Sequence, residues 1–365
     1  MRKMKILVVG PSPIKSKGGM ATVIKGISED KTLADDFDIT IFDSFIDGNI
    51  IVRLLYSIFA YFKFIIMFKK YDLFHVHMAS NGSTFRKAYY IRTLKRHNKR
   101  VIVHIHGAGY LAFYNKLNNR RKESVVKTIN MADIIIALSE EWKLKLELEL
   151  GIQNILVLNN GIDTEPFSHA VNNVLLTRGC FLFLGRLGER KGTYDLVEAI
   201  TQIRDAGVKI TCYMAGDGDV EKIQSIVKER KLEDYIKVVG WVDFNEKVEL
   251  LKKVGTVVLP SYNEGLPMAL LEGMAAGKIV ISSNVGAIPE LVTQGKNGYI
   301  INPGDITALK DAMYNVIYKE DSLSIISENN INKINADFSR KKMHRILAGY
   351  YRKLEKKVEV KCRME

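Results

Sequence analysis

Short apolar runs alternate with longer stretches of helical period along the whole chain. In the first half, KILVVG (5–10), DITIFD (38–43), DLFHVH (72–77), VIVHIH (101–106), DIIIAL (133–138) and ILVL (155–158) predict strands. Stretches 19–28, 50–68, 84–97, 120–131 and 140–150 predict helices between them. The second half restarts the same grammar. Strands are expected at 180–185, 209–215, 236–239, 256–260, 279–282 and 298–301, and helices at 193–206, 218–231, 245–253, 267–276 and 306–319. Strands alternating with helices imply parallel sheets with crossover helices, an α/β fold. Residues 159–179, rich in Asn, Gly and turn residues, read as an interdomain linker. The expected organisation is two Rossmann-like, doubly wound domains, 1–165 and 166–338, facing a central cleft. A basic C-terminal helix, 339–365, is expected to pack back toward the first domain.

Composition adds limits. A chain of 365 residues suits two domains of ordinary size. Its 47% hydrophobic and 26% charged residues are those of a soluble globular protein. The three cysteines, Cys180, Cys212 and Cys362, follow no metal or redox spacing, which fits a reducing compartment. The apolar run after MRKMK is too short for a signal peptide. The net charge of +13 is concentrated near the start: residues 1–110 hold 18 Lys/Arg against 8 Asp/Glu, a balance of +10. No zinc-finger spacing or RNA-binding aromatic signature accompanies it, so nucleic acid is not the expected partner.

Segment 50–70, IIVRLLYSIFAYFKFIIMFKK, is long enough to span a bilayer, but Arg53 and Lys63 interrupt it. Two readings stand: a helix lying in a membrane interface, or a helix buried over most of its surface against a parallel sheet.

In doubly wound sheets ligands bind beyond the carboxyl ends of the strands, so chemistry is sought in those loops. After the first strand, Gly18 and Gly19 precede a helix, where backbone N–H groups can approach a phosphate or sugar oxygen; an ordinary turn is the alternative. After 180–185, GRLGERKGT places Arg186 and Lys191 in a strand-to-helix loop, two cations suited to a diphosphate. In AGDGDVEKI, Gly216 and Gly218 allow a tight turn, and the two aspartates read as an acidic helix N-cap rather than a metal site.

The stretch SYNEGLPMALLEGMAAGK holds Glu264 before a helix and Glu272 inside it. Pro267 fits the first helical turn. Gly265 permits close backbone approach, and N–H groups there favour an anion. Glu264 is then placed to accept from hydroxyls at the helix entrance, and Glu272 from a diol farther along.

This stretch resembles the E-x7-E signature of the retaining glycosyltransferases of GT-B fold, glycosyltransferase family 4. The resemblance covers nearly the whole chain: the glycines at 18–19, HG at 106–107, NGID at 160–163, GRL…KG at 185–192 and GDG at 216–218. Gly273 and Lys278 stand where the family often has Ala and Pro.

The resemblance implies a hexosyltransferase. Its donor is a nucleotide-diphosphate sugar, with uridine the commonest base. Arg186 and Lys191 would neutralise the leaving diphosphate, with N–H donors around Gly265 and Leu266. Glu264 would orient donor sugar hydroxyls, Glu272 the ribose, and His106 matches the family's histidine near the donor sugar. Configuration would be retained without a covalent intermediate and without metal or other cofactor. The acceptor would be a saccharide or lipid-linked saccharide of a bacterial envelope or capsule. The expected location is cytoplasmic, peripheral at the anionic inner face of the membrane. A non-catalytic nucleotide-sugar-binding partner of the same fold is the alternative. A dinucleotide oxidoreductase is disfavoured because the first strand lacks G-x-G-x-x-G.

Overall fold

A computed structural model describes residues 2–16, 19–106, 109–171, 174–175, 177–319 and 322–362, with side chains described to residue 355. The chain divides into two compact units, Met1–Gly161 with Arg340–Glu365, and Ile162–Ser339.

The first unit is built on six parallel strands: β1 (Met4–Pro11), β2 (Phe37–Phe45), β3 (Leu73–Met78), β4 (Arg100–Ile105), β5 (Ile134–Ala137) and β6 (Ile155–Val157). Their order is β2-β1-β3-β4-β5-β6. Side-chain alternation splits its core between the two sheet faces. Phe74, Val76, Val101 and Val103 pack with residues of helices Gly82–Arg96 and Asn119–Ile129. On the other face, Ile6, Val8 and Ile102 pack with helix Gly19–Glu29 and with Met343, Leu347 and Tyr351 of helix Arg340–Cys362. That last helix is fixed to this unit by polar contacts as well. Tyr350 donates to the Val157 carbonyl at 2.6 Å, and His344 lies 2.5 Å from Asp30.

The second unit has six parallel strands: β7 (Cys180–Leu184), β8 (Thr211–Ala215), β9 (Ile236–Gly240), β10 (Thr256–Leu259), β11 (Ile279–Ser283) and β12 (Gly298–Ile301). Their order is β12-β11-β10-β7-β8-β9. β7 and β10 are neighbours at the centre, Thr256 facing Phe181 and Val257 facing Leu182. The strand order reverses between them, so this is the topological switch point.

Helix Ile50–Met67 bears on one of the two sequence readings, the helix buried against the sheet. Only Ala60 and Phe64 are buried within it, while Ile50 is 75% exposed, Phe62 65% and Ile66 81%. A helix buried over most of its surface is therefore overturned. Phe64 is its buried aromatic anchor, packing on Phe74 and Tyr90 with ring centroids 6.0 and 4.7 Å away.

Candidate active site

The loops after β7 and β10 meet at the switch point. After β7 the chain makes a 3-10 turn, Glu189–Lys191, then enters helix Thr193–Asp205. Gly192 joins them at φ +66°, and a Cβ there would lie 2.0 Å from the Pro260 carbonyl oxygen. Only glycine lets the two loops come this close. Two hydrogen bonds clamp them: Tyr262 N–H donates to the Arg190 carbonyl at 2.9 Å, and the Arg190 guanidinium to the Asn263 carbonyl at 3.0 Å.

Inside the clamp the Lys191 ammonium donates to Oε1 of Glu264. Their side chains are only 14% and 7% exposed. Ser261 donates from Oγ to the same oxygen at 2.7 Å. Behind Glu264, Gly286 closes the wall at φ +55°, where a Cβ would lie 2.1 Å from the Glu264 carbonyl oxygen. The carboxylate is thus held by a cation and a hydroxyl before any ligand arrives. Gly265 and Leu266 follow in the loop. Gly265 is half-buried, its carbonyl accepting from Ala287 N–H at 3.0 Å, and Leu266 is buried in the core.

Glu272 lies in helix Met268–Ala275, whose N-cap is Pro267, so the proline sits one position before the first turn. Glu272 is buried and accepts from Lys247 Nζ at 2.5 Å. That ammonium also faces the rings of Phe244 and Phe167, at 5.3 and 5.8 Å from their centroids. Burial raises the Glu272 pKa, and the Lys247 ammonium opposes the shift.

Arg186 stands on the exposed part of the loop, 3.1 Å from Asp217. An ion pair this exposed contributes little to stability and can exchange partners at small cost. Gly216 and Gly218 have a packing reason to be glycine: a Cβ would lie 1.8 Å from the Gly185 carbonyl oxygen and 2.3 Å from that of Leu187. Asp219 occupies the N-cap position of helix Val220–Glu229 but makes no capping bond; its carboxylate accepts from Tyr194 at 2.7 Å instead. The acidic cap expected from the sequence is therefore replaced by two side-chain pairs.

His106, Gly18 and Gly19 belong to the first unit. Gly18 lies outside the described residues, as does Gly107 of the HG pair. Gly19 opens helix Gly19–Glu29 and is exposed. His106 follows β4, buried, with Nε2 2.8 Å from Nδ1 of His77. His75 continues this histidine group, with Nδ1 2.8 Å from the Tyr351 hydroxyl and Nε2 3.3 Å from His104 Nδ1. Burial lowers His106 to about 3, and burial with His106 lowers His75 to about 3. The imidazole of His106 is neutral at pH 7. Ring nitrogens of His75, His77 and His104 lie within 4.8 Å of one another, and among the described residues Nε2 of His77 and of His104 has no hydrogen-bond partner.

Ser261, Lys247 and Asp217 were not singled out as partners from the sequence. Lys247 and Glu272 are 25 positions apart and meet only through the sheet. Ser261 had a local signal: a hydroxyl three residues before Glu264, in the same strand-to-helix loop.

Both halves of the chain match family models. Residues 35–166 match "Glycosyltransferase Family 4" and residues 164–333 match "Glycosyl transferases group 1". Sucrose-phosphate synthase from Thermosynechococcus elongatus superposes with a TM-score of 0.81, over 96% of this chain and 99% of that one, at 18% identity. The fold is that of the GT-B glycosyltransferases. HepE from Anabaena, solved in complex with UDP-glucose, gives a TM-score of 0.75 over 96% of this chain and 100% of its own, at 19% identity. WcaL of Escherichia coli (strain K12), named for colanic acid biosynthesis, is 26% identical over 288 residues, 76% of this chain and 70% of WcaL. The match spans 59% and 56% of the length of two further curated relatives.

Proposed function

We propose that this chain is a retaining, metal-independent hexosyltransferase using a nucleotide-diphosphate sugar, with UDP as the carrier. The acceptor is a saccharide or lipid-linked saccharide of a bacterial envelope or capsular polysaccharide. The observation that carries the reading is the Lys191–Glu264 pair at the switch point of a GT-B unit. Switch points are where doubly wound sheets take nucleotides, and UDP-glucose in the HepE complex supports this donor class.

In this reading Lys191 and Arg186 bind the diphosphate. Their charge counts most when the sugar C1–O bond to phosphate breaks and negative charge grows on the leaving group, so the transition state is favoured over the ground state. The acceptor oxygen forms the new C1–O bond on the same face, and its proton passes to the leaving phosphate. Glu264 orients the sugar hydroxyls as Lys191 turns toward phosphate. Glu272 receives the ribose, with Gly216, Gly218, Gly265 and Leu266 shaping the backbone around the donor. Gly18, Gly19 and His106 are assigned to sugar binding on the family resemblance. The two cations take the electrostatic part that a divalent metal plays elsewhere.

The exposed apolar face of helix Ile50–Met67 supports peripheral attachment to an anionic membrane, with Lys69 and Lys70 at its C-terminal end. Anomeric proton NMR of the transferred sugar tests the reading. Transfer from a UDP-sugar with retained configuration in the presence of EDTA is expected; an inverted product or dependence on added metal overturns it.

A further inference from the structure

The first unit carries a second feature that the donor chemistry does not use. A groove of about 690 Å³ runs between helices Ile50–Met67 and Gly82–Arg96. Its walls are apolar and aromatic, including Leu54, Ile58, Phe62, Phe85 and Tyr89. That volume lies in the range of sites for small organic ligands. All five of these residues are exposed, with Phe85 and Ile58 at 38% and 48%.

Two guanidiniums, Arg53 and Arg86, line the same groove. Arg86 is half-buried and lies over the Phe45 ring, 4.7 Å from its centroid. Burial first, and the like charge of Arg53 as well, lower its pKa, Tyr90 opposing. Among the described residues no carboxylate lies within ion-pair distance of either arginine. Two adjacent cations at an apolar wall, without a counter-charge, are complementary to an anion that brings its own hydrocarbon.

The groove also has a direction. Phe45 ends β2, Arg53 stands in the first turn of the helix that follows, and Arg86 stands early in the helix after β3. Both arginines therefore sit at the carboxyl edge of the sheet, the edge that receives ligands in this fold class. Leu54, Ser57, Ile58, Tyr61 and Phe62 continue the groove along the helix, away from that edge. Leu54, Ile58 and Phe62 belong at once to the groove and to the open apolar face of the helix, so the two surfaces are continuous.

We propose that this groove seats a single lipid phosphate: the phosphate on Arg53 and Arg86 at the carboxyl edge, the hydrocarbon chain along Leu54, Ile58 and Phe62. Each phosphate that links a lipid to a saccharide keeps a negative charge near neutral pH, and a guanidinium can pair with it bidentately. A bulk membrane surface needs no such pair. The occupant is a lipid whose phosphate bears the acceptor saccharide, and its chain enters from the bilayer that the exposed helix face meets. This rests on the glycosyltransferase reading and narrows its acceptor to a lipid-linked one.

The test uses the full chain and two kinds of phosphatidylcholine vesicle, one doped with a polyisoprenyl phosphate, the other with phosphatidylglycerol to the same surface charge. Flotation is expected to show at least about 10-fold tighter binding to the first, the factor given by one charge-assisted hydrogen bond. The double variant Arg53→Gln/Arg86→Gln should lose that difference and keep the binding common to both vesicles. Ser57→Trp, which fills the groove without touching charge, should lose it too. A thermal shift with UDP, measured on each variant, reports folding and the donor site separately. Equal binding to both vesicles by the unaltered chain overturns the proposal, as does preference kept in both variants. Capture of inorganic phosphate with equal strength would show that the hydrocarbon is not read, and would also overturn it. Loss of the UDP shift in the unaltered chain is the separate failure of the donor reading.

Discussion

Lys191 and Glu264 form an ion pair that bridges the loops after β7 and β10, the two strands between which the sheet order reverses. The pair is almost fully removed from water, so its two charges depend on each other. Replacing Lys191 with Met leaves the Glu264 carboxylate buried with Ser261 as its remaining hydrogen-bond donor. Breaking a buried pair in this way costs about 3–5 kcal/mol, so a clear fall in urea-unfolding stability is expected. Turnover should fall by at least about 100-fold, the effect of removing one donor from a developing oxyanion. Lys191→Met/Glu264→Gln should recover much of the stability and none of the turnover. Full turnover in Lys191→Met would make the pair structural alone.

Gly192 and Gly151 offer a paired test of backbone strain. Both hold positive φ, +66° and +64°, but a Cβ on Gly192 meets the Pro260 carbonyl oxygen at 2.0 Å while one on Gly151 meets nothing within 4 Å. Gly151→Ala should cost about 1 kcal/mol from conformation alone. Gly192→Ala should cost several times more and displace the loop that holds Lys191, lowering UDP affinity in calorimetry. Equal costs for the two would contradict the close approach.

Much of this arrangement was legible in the sequence. All twelve strands were expected close to where they lie, because parallel strands are written as short apolar runs between helical periods. Glu264 in a loop and Glu272 in a helix followed from Pro267 and from the strand before them. Other features were out of reach because they come from packing. Short helices such as Tyr110–Asn115 and Ile288–Leu291 span too few residues to show a period. The exposure of helix Ile50–Met67 could not be read from its composition, since a buried helix has the same apolar residues. The partners of the charged residues were hidden for the same reason. Lys247 reaches Glu272, and Asp217 reaches Arg186, through tertiary contacts with no fixed spacing.

The buried histidines set an acid limit on stability. His75 and His106 have folded-state pKa values of about 3 against 6.5 for the free side chain. Lowered values mean that the unfolded chain binds more protons between these limits. Their contribution is present above pH 6.5 and is lost as pH falls from there toward 3. Each imidazole adds a slope of about 1.4 kcal/mol per pH unit in that window. His77 and His104, shifted the same way by burial, steepen it. Urea unfolding between pH 7 and pH 5 should show the decline, and His75→Gln should reduce it. A flat profile would place these groups in a solvated setting.

The apolar face of helix Ile50–Met67 should be separable from folding. Phe59→Ser and Ile66→Ser alter residues that are 63% and 81% exposed. Each should change stability by no more than about 0.5 kcal/mol and weaken flotation with anionic vesicles. Phe64→Ala removes the buried anchor and should cost about 3–5 kcal/mol. Vesicle binding unaffected by the two serine variants would remove this face from membrane attachment.

The most direct measurement is isothermal titration of the full chain with UDP in EDTA, repeated with Lys191→Met and Arg186→Gln. One metal-free site is expected, weakened at least about 10-fold by Lys191→Met. A smaller loss is expected from Arg186→Gln, since that guanidinium is exposed and already shares its charge with Asp217. UDP binding that needs added divalent metal, or that is as tight in Lys191→Met as in the unaltered chain, would contradict a diphosphate held at the switch point by these two cations.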